Sequence, residues 1–288
     1  MYKSESPTPK ALAHDPMTEE TTTTIMAALA TLTQSQLSDL TASISSDVHL
    51  HRRRLSAVLS SPHLFSLTLQ RLRLLSLPDK TLLIAKHLLS SLHHLTLHYN
   101  KCHSAVLKPR DLDAVLVLLL LCDVRQHSPE ALETPPFRWR EVLGSVYARG
   151  MLSTAGYGIG SAAALLPYIE TAARCLRFVG NYNVNSNSTV VGRETAATVA
   201  AVVALPSVGG GGGEECVICR EEMREGRDVC GLPCQHKFHW RCVLPWLRRR
   251  NTCPCCRFRL PTDDVFGEIQ RLWDIVVKMS GVGKELIS

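Results

Sequence analysis

Apolar residues recur at helical intervals over a long Leu-rich and Gly-poor stretch from Ile25 to about Val179. The clearest pattern lies at 82–97, where the apolar residues share one helical face and the polar residues fall elsewhere. The apolar face consists of Leu82, Ala85, Leu88, Leu89, Leu92 and Leu95, and the polar positions are Lys86, Ser90, Ser91, His93 and His94. Because such a face must pack against another element, the stretch predicts a small bundle of helices.

Further helices are predicted in the same region, at 111–124, 139–149 and 161–178. Ser61 followed by Pro62 is typical of an N-cap and a first helical turn. Pro78 predicts a stop for the helix that this pair opens. Leucines alternate with other residues at 67–74, which leaves a strand open there as the alternative to a helix.

A strongly amphipathic helix is predicted at 262–279. Its apolar residues follow i, i+3, i+4, i+7 spacing and are Val265, Ile269, Leu272, Trp273, Val276 and Val277. Asp263 and Asp264 stand at its start and Lys278 near its end, as the helix dipole favours. The pattern leaves three partners open for this helix: the cysteine-rich segment before it, a second copy of the chain, or the N-terminal bundle.

Two segments lack a pattern that could form a core. Residues 1–24 hold three prolines and a threonine tract with almost no large apolar side chains, so we expect them to be disordered. Residues 180–215 run from an Asn-rich stretch through small residues to five glycines, Gly209–Gly213, which predicts a flexible linker. The sequence therefore predicts a mainly α protein with a domain boundary in 180–215.

Composition excludes two classes of protein. The 288 residues carry a net charge of +6, a mild basic bias that does not predict nucleic-acid binding. The longest apolar run, Ala114–Cys122, has nine residues, whereas a bilayer span takes about 20, so no transmembrane helix is predicted. Eight of the 11 cysteines crowd into 216–256 among histidines, which indicates metal binding in a reducing compartment rather than disulfides.

The cysteine-rich segment offers eight metal ligands in the order C-x2-C-x14-C-x-H-x2-H-x2-C-x10-C-x2-C. They are Cys216, Cys219, Cys234, His236, His239, Cys242, Cys253 and Cys256. Zn²⁺ takes four tetrahedral ligands of these types, so eight predict two closed, structural sites. Cys230 competes with Cys234, which alone stands one residue before a histidine. Cys255 competes with Cys256, which alone gives a two-residue spacing.

This order of ligands resembles a RING-H2 finger and covers about one-seventh of the chain. The resemblance implies a short β-hairpin with a helix, and two zinc ions held by alternating ligand pairs. One set is Cys216, Cys219, His239 and Cys242, and the other is Cys234, His236, Cys253 and Cys256. A finger of about 45 residues buries too little apolar surface to be stable alone, so a chelator should unfold it.

RING-H2 fingers are ubiquitin ligases that recruit a ubiquitin-charged conjugating enzyme (E2) and promote transfer of ubiquitin to a substrate lysine. They act as scaffolds and form no covalent intermediate. By resemblance, Ile218, Trp246 and Pro254 bind the E2, and Arg257 bridges the E2 and ubiquitin. Ordinary packing is the alternative for Ile218 and Trp246, and a solvated charge is the alternative for Arg257.

Other classes of function stay open beside this one. The first is a zinc adaptor that binds proteins without promoting transfer, and the second is a nucleic-acid-binding zinc protein. A cysteine-relay ligase would use Cys230 or Cys255 as a nucleophile. The arginines at 248–250 are expected to be a solvated helix end, and the histidines at 49–103 to lie at a surface or interface. Three further cysteines are expected to be small buried side chains: Cys102, Cys122 and Cys175.

Three N-terminal segments, 22–40, 52–69 and 76–92, resemble plant RING-H2 ligases that are associated with amyloplasts and shoot gravitropism. The resemblance implies a peripheral plastid association and a helical region, 25–179, that targets the protein and selects its substrate. A cytoplasmic location stays open, because acidic residues in the first 20 positions differ from an acid-poor transit peptide. The sequence does not indicate the substrate.

Overall fold

The computed structural model describes residues 16–97, 107–154, 161–185, 195–210, 213–223 and 228–281. Its helices are α1 (Pro16–Leu29), α2 (Gln34–Ser60), α3 (Pro62–Leu74), α4 (Leu77–Thr96), α5 (Pro109–His127), α6 (Trp139–Thr154), α7 (Ser161–Asn185), α8 (Val199–Val203), α9 (Trp240–Leu247) and α10 (Val265–Ser280). The strands are β1 (Ser207–Val208), β2 (Val229–Gly231) and β3 (Lys237–His239). Short 3-10 turns, Pro129–Leu132 and Pro136–Arg138, lie between α5 and α6.

The described residues form two hydrophobic cores. The larger core lies among α1 to α7 and α10, and the smaller one lies within the cysteine-rich finger. The finger contains the antiparallel hairpin β2–β3 followed by α9. The prediction of a mainly α protein with a small finger of hairpin and helix is therefore confirmed. Across the described residues, no helix is both long and apolar enough to cross a bilayer.

Side-chain caps set the starts of α3 and α4. The Ser61 hydroxyl accepts a hydrogen bond from the Leu64 N–H at 3.3 Å, and the Ser76 hydroxyl caps α4 in the same way. Residues 67–74 lie inside α3, so the helical interpretation is confirmed there and the strand is wrong. Pro78 does not end α3 but lies in the first turn of α4, where a missing N–H costs nothing.

Helix α1 begins inside the segment that was expected to be disordered. The hydroxyls of Thr23 and Thr24 donate to carbonyls four residues earlier at 2.8 and 3.0 Å, and Ile25 is buried. The helix packs on α7 and α10, from distant parts of the sequence, so local composition gave no indication of its burial. The prediction of disorder is wrong for 16–24, and residues 1–15 lie outside the described residues.

Helix α4 is buried on more than its apolar face. Five of its six predicted apolar residues lie in the large core, whereas Leu82 is only half-buried. Ser91 and His93, from the predicted polar positions, are buried as well. Tyr168 of α7 donates its hydroxyl hydrogen to the Ser91 carbonyl at 2.6 Å. Helix α7 therefore covers a side of α4 that the sequence pattern had assigned to polar surroundings.

Histidines from α2 and α4 lie together inside the bundle. His94 Nε2 is 2.6 Å from a carboxylate oxygen of Asp47, and the ring centroids of His51 and His87 are 5.2 Å apart. Burial lowers the pKa of His87 to about 3 and also lowers the pKa of His51. The expectation of surface histidines is wrong for His87 and His93, which belong to the core. His98 and His103 lie outside the described residues.

The buried His87 predicts that acid destabilises the bundle. Its pKa is lower in the folded chain than in the unfolded chain, where it is about 6.5, so the unfolded state binds more protons as the pH falls. The contribution of the neutral His87 ring to the free energy of unfolding is fully present above about pH 6.5. The free energy of unfolding should fall by about 1.4 kcal/mol per pH unit between pH 6 and pH 4. Urea unfolding followed by far-UV circular dichroism at a series of pH values measures this slope.

Two substitutions make the acid prediction specific to the buried ring. His87→Leu should flatten the slope, whereas His63→Leu, at an exposed position on α3, should leave it as in the wild type. Asp47 contributes only at lower pH, because the hydrogen bond from His94 lowers the pKa of that carboxyl group. Equal slopes in wild type and His87→Leu would contradict the prediction.

The amphipathic helix α10 packs on the N-terminal bundle. The Asp264 carboxylate caps its start, and Gly281, at φ 71°, follows its end. Ile269, Leu272 and Val276 are buried in the large core, against α1 and α4. Of the three partners that the sequence left open, the structure selects the bundle.

The segment before the glycines folds onto the finger instead of acting as a tether. Strand β1 pairs with β2, with Ser207 opposite Cys230, and the Ala197 N–H donates to the Leu247 carbonyl at 2.9 Å. A Cβ atom at Gly231 would lie 3.2 Å from the Val208 side chain, so the close approach of β1 needs this glycine.

The prediction of a flexible linker is therefore wrong for part of 180–215. Helix α7 continues to Asn185, and residues 195–208 cover an edge of the finger sheet that would otherwise stay unpaired. The small residues of this stretch suggested a spacer, but the stretch contributes the side chains of Ala197 and Leu205 to the finger core. Residues 186–194 and 211–212 lie outside the described residues.

Candidate metal centre

Two tight turns of matching geometry carry the two C-x2-C pairs. The N–H of Arg220 donates to the Cys216 carbonyl at 2.6 Å, and the N–H of Arg257 donates to the Cys253 carbonyl at 3.0 Å. Arg220 and Arg257 both have φ 59°, the left-handed conformation that closes each turn. The first cysteine of each turn also donates its N–H to the carbonyl five residues later, at 2.9 and 2.8 Å. The local backbone thus holds each cysteine pair in one orientation.

The hairpin and α9 supply the remaining candidate ligands. Cys234 and His236 lie in the turn between β2 and β3, on either side of Gln235 at φ 68°. His239 is the last residue of β3 and precedes α9, and Cys242 lies in the first turn of that helix. The strand-to-helix transition therefore places His239 and Cys242 close together.

The eight candidate ligands gather in two groups of four. Cys216, Cys219, His239 and Cys242 form the first group, and Cys234, His236, Cys253 and Cys256 form the second. Within each group all ligand atoms lie within 4.8 Å of one another. Nδ1 of His239 is 3.3 Å from Cys219 Sγ, and Nδ1 of His236 is 3.4 Å from Cys234 Sγ. This grouping is the alternating one that the RING-H2 resemblance implies.

The donor atoms of both groups fit a zinc ion. Each group offers three sulfurs and one imidazole nitrogen, a combination that structural Zn²⁺ sites use. Nε2 of His239 is buried and has no hydrogen-bond partner among the described residues. Because Nδ1 of His239 lies 3.3 Å from Cys219 Sγ, Nδ1 is the ring atom that is placed to bind a metal.

Two of the sulfurs, those of Cys234 and Cys242, are hard to ionise without a cation. Burial, together with the nearby Cys256 and Cys253, raises the pKa of the Cys234 thiol to about 12. Burial and the nearby Cys219 raise the pKa of Cys242 to about 11. A divalent cation removes this penalty because it binds the thiolate form directly. The arrangement therefore suits a bound metal better than a set of free thiols.

The two competing cysteines lie outside both groups. Cys230 is buried in β2, and burial raises the pKa of its thiol to about 11. Cys255 is exposed in the second turn, beside Cys253 and Cys256. The geometry thus favours Cys234 and Cys256 as ligands. Of the helical cysteines, Cys175 is buried and Cys122 is half-buried, while Cys102 lies outside the described residues.

The residues expected to bind the E2 are placed on three elements of the finger. Ile218 lies in the first turn and is 40% exposed, and Pro254 is half-buried in the second turn. Trp246 of α9 donates its Nε1–H to the Thr252 carbonyl at 2.7 Å, so its ring is anchored to the finger. The packing alternative therefore applies to part of Trp246, whereas Ile218 has a free surface.

Arginines after α9 and after the second turn are exposed. The segment 248–250 follows the last turn of α9, as expected for a solvated helix end, and the Arg250 guanidinium lies 4.9 Å from the centroid of the Trp246 ring. The Arg257 side chain is exposed directly after the last candidate ligand. Sequence reasoning missed Val217 and Phe258, which are exposed beside Ile218 and Arg257; their only signal was adjacency to these residues.

Comparison with known proteins extends the RING resemblance to the rest of the chain. A family model described as a Ring finger domain matches residues 214–257. E3 ubiquitin-protein ligase SGR9, amyloplastic, of Arabidopsis thaliana is 55% identical over 278 residues, which cover 92% of this chain and 98% of that protein. No solved structure matches.

Other relatives match over shorter stretches of this chain. E3 ubiquitin-protein ligase RHA2A of Arabidopsis thaliana is 43% identical over 81 residues, 28% of this chain and 46% of that protein. The E3 ubiquitin-protein ligase RNF181 homolog of Drosophila melanogaster is 48% identical over 62 residues, 21% of this chain and 42% of that protein. Since the match to SGR9 spans nearly all of both chains and includes the finger, the chain belongs to the RING-type E3 ubiquitin-protein ligases and is a ubiquitin transferase.

Proposed function

We propose that this ligase binds two Zn²⁺ ions and uses the folded finger to hold a ubiquitin-charged E2 while ubiquitin passes to a substrate lysine. The observation that carries the proposal is the pair of four-ligand groups inside the matched finger. Four protein ligands per ion leave no position for water, so zinc would supply rigidity and no nucleophile. The chain acts by orienting two partners and forms no covalent intermediate.

Within this proposal, the E2 contacts Ile218, Trp246 and Pro254. Ile218 and Pro254 each lie between the two ligand cysteines of their own turn, and the two turns have matching backbone geometry. Trp246 adds an aromatic anchor. Such a patch is small, which suits a transient interface whose affinity depends on a few residues. A protein that must release a spent E2 after each transfer needs contacts of this kind.

Replacing Ile218 by alanine should slow transfer without loss of zinc. Loss of one exposed anchor of a small interface costs about 1.4 kcal/mol or more, which is about tenfold in E2 affinity. Autoubiquitination with purified activating enzyme, E2 and ubiquitin measures the rate. Val217→Ala, in the same turn and 59% exposed, is the matched control and should change the rate less than about twofold.

The outcome of this assay also separates the ligase from a non-catalytic adaptor. Equal rates for wild type and Ile218→Ala would contradict the proposed E2 contact. An absence of transfer by the wild type, with each E2 of a broad panel, would favour the adaptor instead.

Arg257 has the position and chemistry to bridge the E2 and ubiquitin. Its backbone closes the second turn, while its exposed guanidinium makes no ion pair with the residues that the structure describes. A planar fork with five donors can hydrogen-bond both partners and hold the reacting thioester in place. The side chain would thus act by orientation.

Arg257→Ala should reduce discharge of ubiquitin from a charged E2 to free lysine by about tenfold, because orientation of the thioester is lost. The matched control is Arg220→Ala, which changes the equivalent exposed residue of the first turn at the same φ of 59°. If both variants lose activity equally, the effect belongs to the backbone conformation and the bridging role is wrong. Single-turnover discharge followed on gels distinguishes these results.

We further propose an amyloplast location with peripheral association and a role in shoot gravitropism. The support is the name of the Arabidopsis relative, which describes that protein as amyloplastic. A fluorescent protein fused after residue 288 and imaged in starch-storing plant cells tests the location. A uniform cytoplasmic signal would contradict it.

A further inference from the structure

Helix α3 carries two apolar stripes, and the fold buries only one of them. Phe65 and Leu72 are buried on the side that faces the core. Leu64, Leu67 and Leu74 lie along the adjoining face and are 41%, 49% and 78% exposed. A contiguous patch of exposed apolar surface on a folded protein often marks an interaction site.

The exposed stripe continues into a cleft of about 440 Å³ between α2 and α3. Leu64 lines this cleft from α3, and Leu50, Arg53 and Ala57 line it from α2. Leu50 is itself nearly half exposed. The apolar surface therefore has a concave part that can receive a side chain as well as a flatter part along α3.

A second cleft, of about 510 Å³, lies around the first turn of α5. Arg54 joins the two, because it lines the first cleft and donates an Nη2 hydrogen to the carbonyl of Pro109, in the second, at 3.1 Å. Arg71 lines the second cleft from α3. The apolar stripe therefore has two neighbouring clefts beside it, with Arg54 between them.

Cations outnumber acids on this surface. Asp111 is paired with Arg71 at 2.9 Å and Asp113 with Arg54 at 2.7 Å, so both acids are neutralised. Three exposed cations remain without an ion pair among the described residues: Arg53, Lys108 and Arg110. The surface thus combines an apolar centre with a net positive edge.

We propose that this α2–α3–α5 surface binds an acidic amphipathic helix of a protein that the ligase recruits. The surface is defined by Leu50, Leu64 and Leu67 together with Arg53, Lys108 and Arg110. Leucines from Leu64 to Leu74 extend about 15 Å, which matches three turns of a partner helix with apolar residues at i, i+3 or i+4, and i+7. Carboxylates beside those residues would meet the cations. This inference rests on the proposed function and adds a partner class to it.

Charge and shape favour this occupant over others. The strongly amphipathic helix of the chain itself, α10, has its apolar face in the bundle core, so a second copy cannot offer that helix as the occupant. Nucleic acid would leave the apolar stripe uncovered, and a flat bilayer would leave the two clefts unfilled. An acidic helix covers the stripe and pairs the cations together.

The probe for this surface is a synthetic fluorescent peptide with leucines on one helical face and glutamates on its flanks. Binding to the full-length, zinc-loaded protein is followed by fluorescence anisotropy. A scrambled peptide of the same composition, and a peptide with lysine in place of each glutamate, should bind at least about tenfold more weakly. Equal affinity for all three peptides would overturn the proposal.

Substitutions test whether the peptide uses the proposed surface. Leu67→Glu and Arg110→Glu should each weaken binding at least about fivefold. The matched controls are Leu166→Glu, at an equally exposed leucine of α7, and Arg125→Glu, at the opposite end of α5 from Arg110, about 22 Å away. Since all four side chains are exposed, the variants should keep the wild-type circular dichroism spectrum. Unchanged binding by Leu67→Glu, or equal losses in the controls, would overturn the assignment.

Failure of this inference can be told apart from failure of the proposed function. Autoubiquitination measured on the same preparations should be unchanged in Leu67→Glu, while Ile218→Ala should keep peptide binding. If the wild-type protein bound the peptide but did not promote ubiquitin transfer, that result would contradict the E2 proposal and leave the proposed peptide-binding surface intact. The protein could instead bind anionic phospholipid vesicles in a way that depends on Leu67, without binding the acidic peptide. That result would overturn the inference in favour of a membrane.

Discussion

Cys253→Ser is expected to remove one of two bound zinc ions and to abolish ubiquitin transfer. Cys253 is a buried member of the second ligand group, and its carbonyl closes the second turn. A structural zinc site supplies on the order of 10–16 kcal/mol of apparent folding free energy to a module of this size. Loss of one ligand should therefore unfold the finger and reduce autoubiquitination at least about a hundredfold. Elemental analysis and the transfer assay, performed on one preparation, measure both effects.

Cys255→Ser is the matched control for the zinc prediction. Cys255 stands two residues later in the same turn, is exposed, and belongs to neither ligand group. The variant should keep two zinc ions and full transfer. A loss of transfer in Cys255→Ser with both ions retained would support the cysteine-relay mechanism, and retention of two ions and full activity in Cys253→Ser would contradict the proposed ligand set.

Glu268→Ala should lower the free energy of unfolding of the helical region by about 3 kcal/mol, because it removes a buried carboxylate that pairs with Arg271 and accepts a backbone hydrogen bond. Glu268 and Arg271 form a buried ion pair within the first two turns of α10. Glu268 also accepts the N–H of Thr262 at 3.2 Å, and Thr262 forms a β-bridge with Ala197. The carboxylate thus links the bundle to both chain segments that flank the finger. Urea unfolding of the zinc-loaded protein measures the change.

An exposed ion pair between α10 and the segment before it provides the control for Glu268. Asp274 lies 3.6 Å from Arg259, and both side chains are largely in solvent. Asp274→Ala should therefore change the free energy of unfolding by less than about 1 kcal/mol. Equal effects of Glu268→Ala and Asp274→Ala would show that burial adds nothing to the first pair.

Five helices could be predicted individually because their signals are local, whereas α2, the longest helix that the structure describes, was covered only by the general prediction of a helical region at 25–179. Apolar periodicity indicated α4 to α7 and α10, and the Ser61–Pro62 pair marked the start of α3. Boundaries were less accurate, since α5 and α7 extend beyond the periodic part of their sequences. Composition misled the predictions at α1 and at 195–208, where threonines, alanines and valines acquire their burial from distant elements.

The candidate site, like the helices, has features that the sequence predicts and features that only the fold shows. Ligand types and spacings identified eight residues, and the fold brings these eight together in two groups. The exposure of Ile218, the anchoring of Trp246 and the exclusion of Cys230 depend on the folded finger. Spacing along the chain already favoured Cys234 over Cys230, but the exposure of Ile218 and the anchoring of Trp246 have no counterpart in it.

The sequence by itself determined the metal-ligand pattern and the helical character of the chain, because both depend on residues within a few positions of one another. Only the tertiary structure decided that α10 belongs to the bundle, that His87 is buried, and that β1 completes the finger sheet. Periodicity shows that a helix has an apolar face, but the partner of that face is set by packing between segments far apart in the sequence.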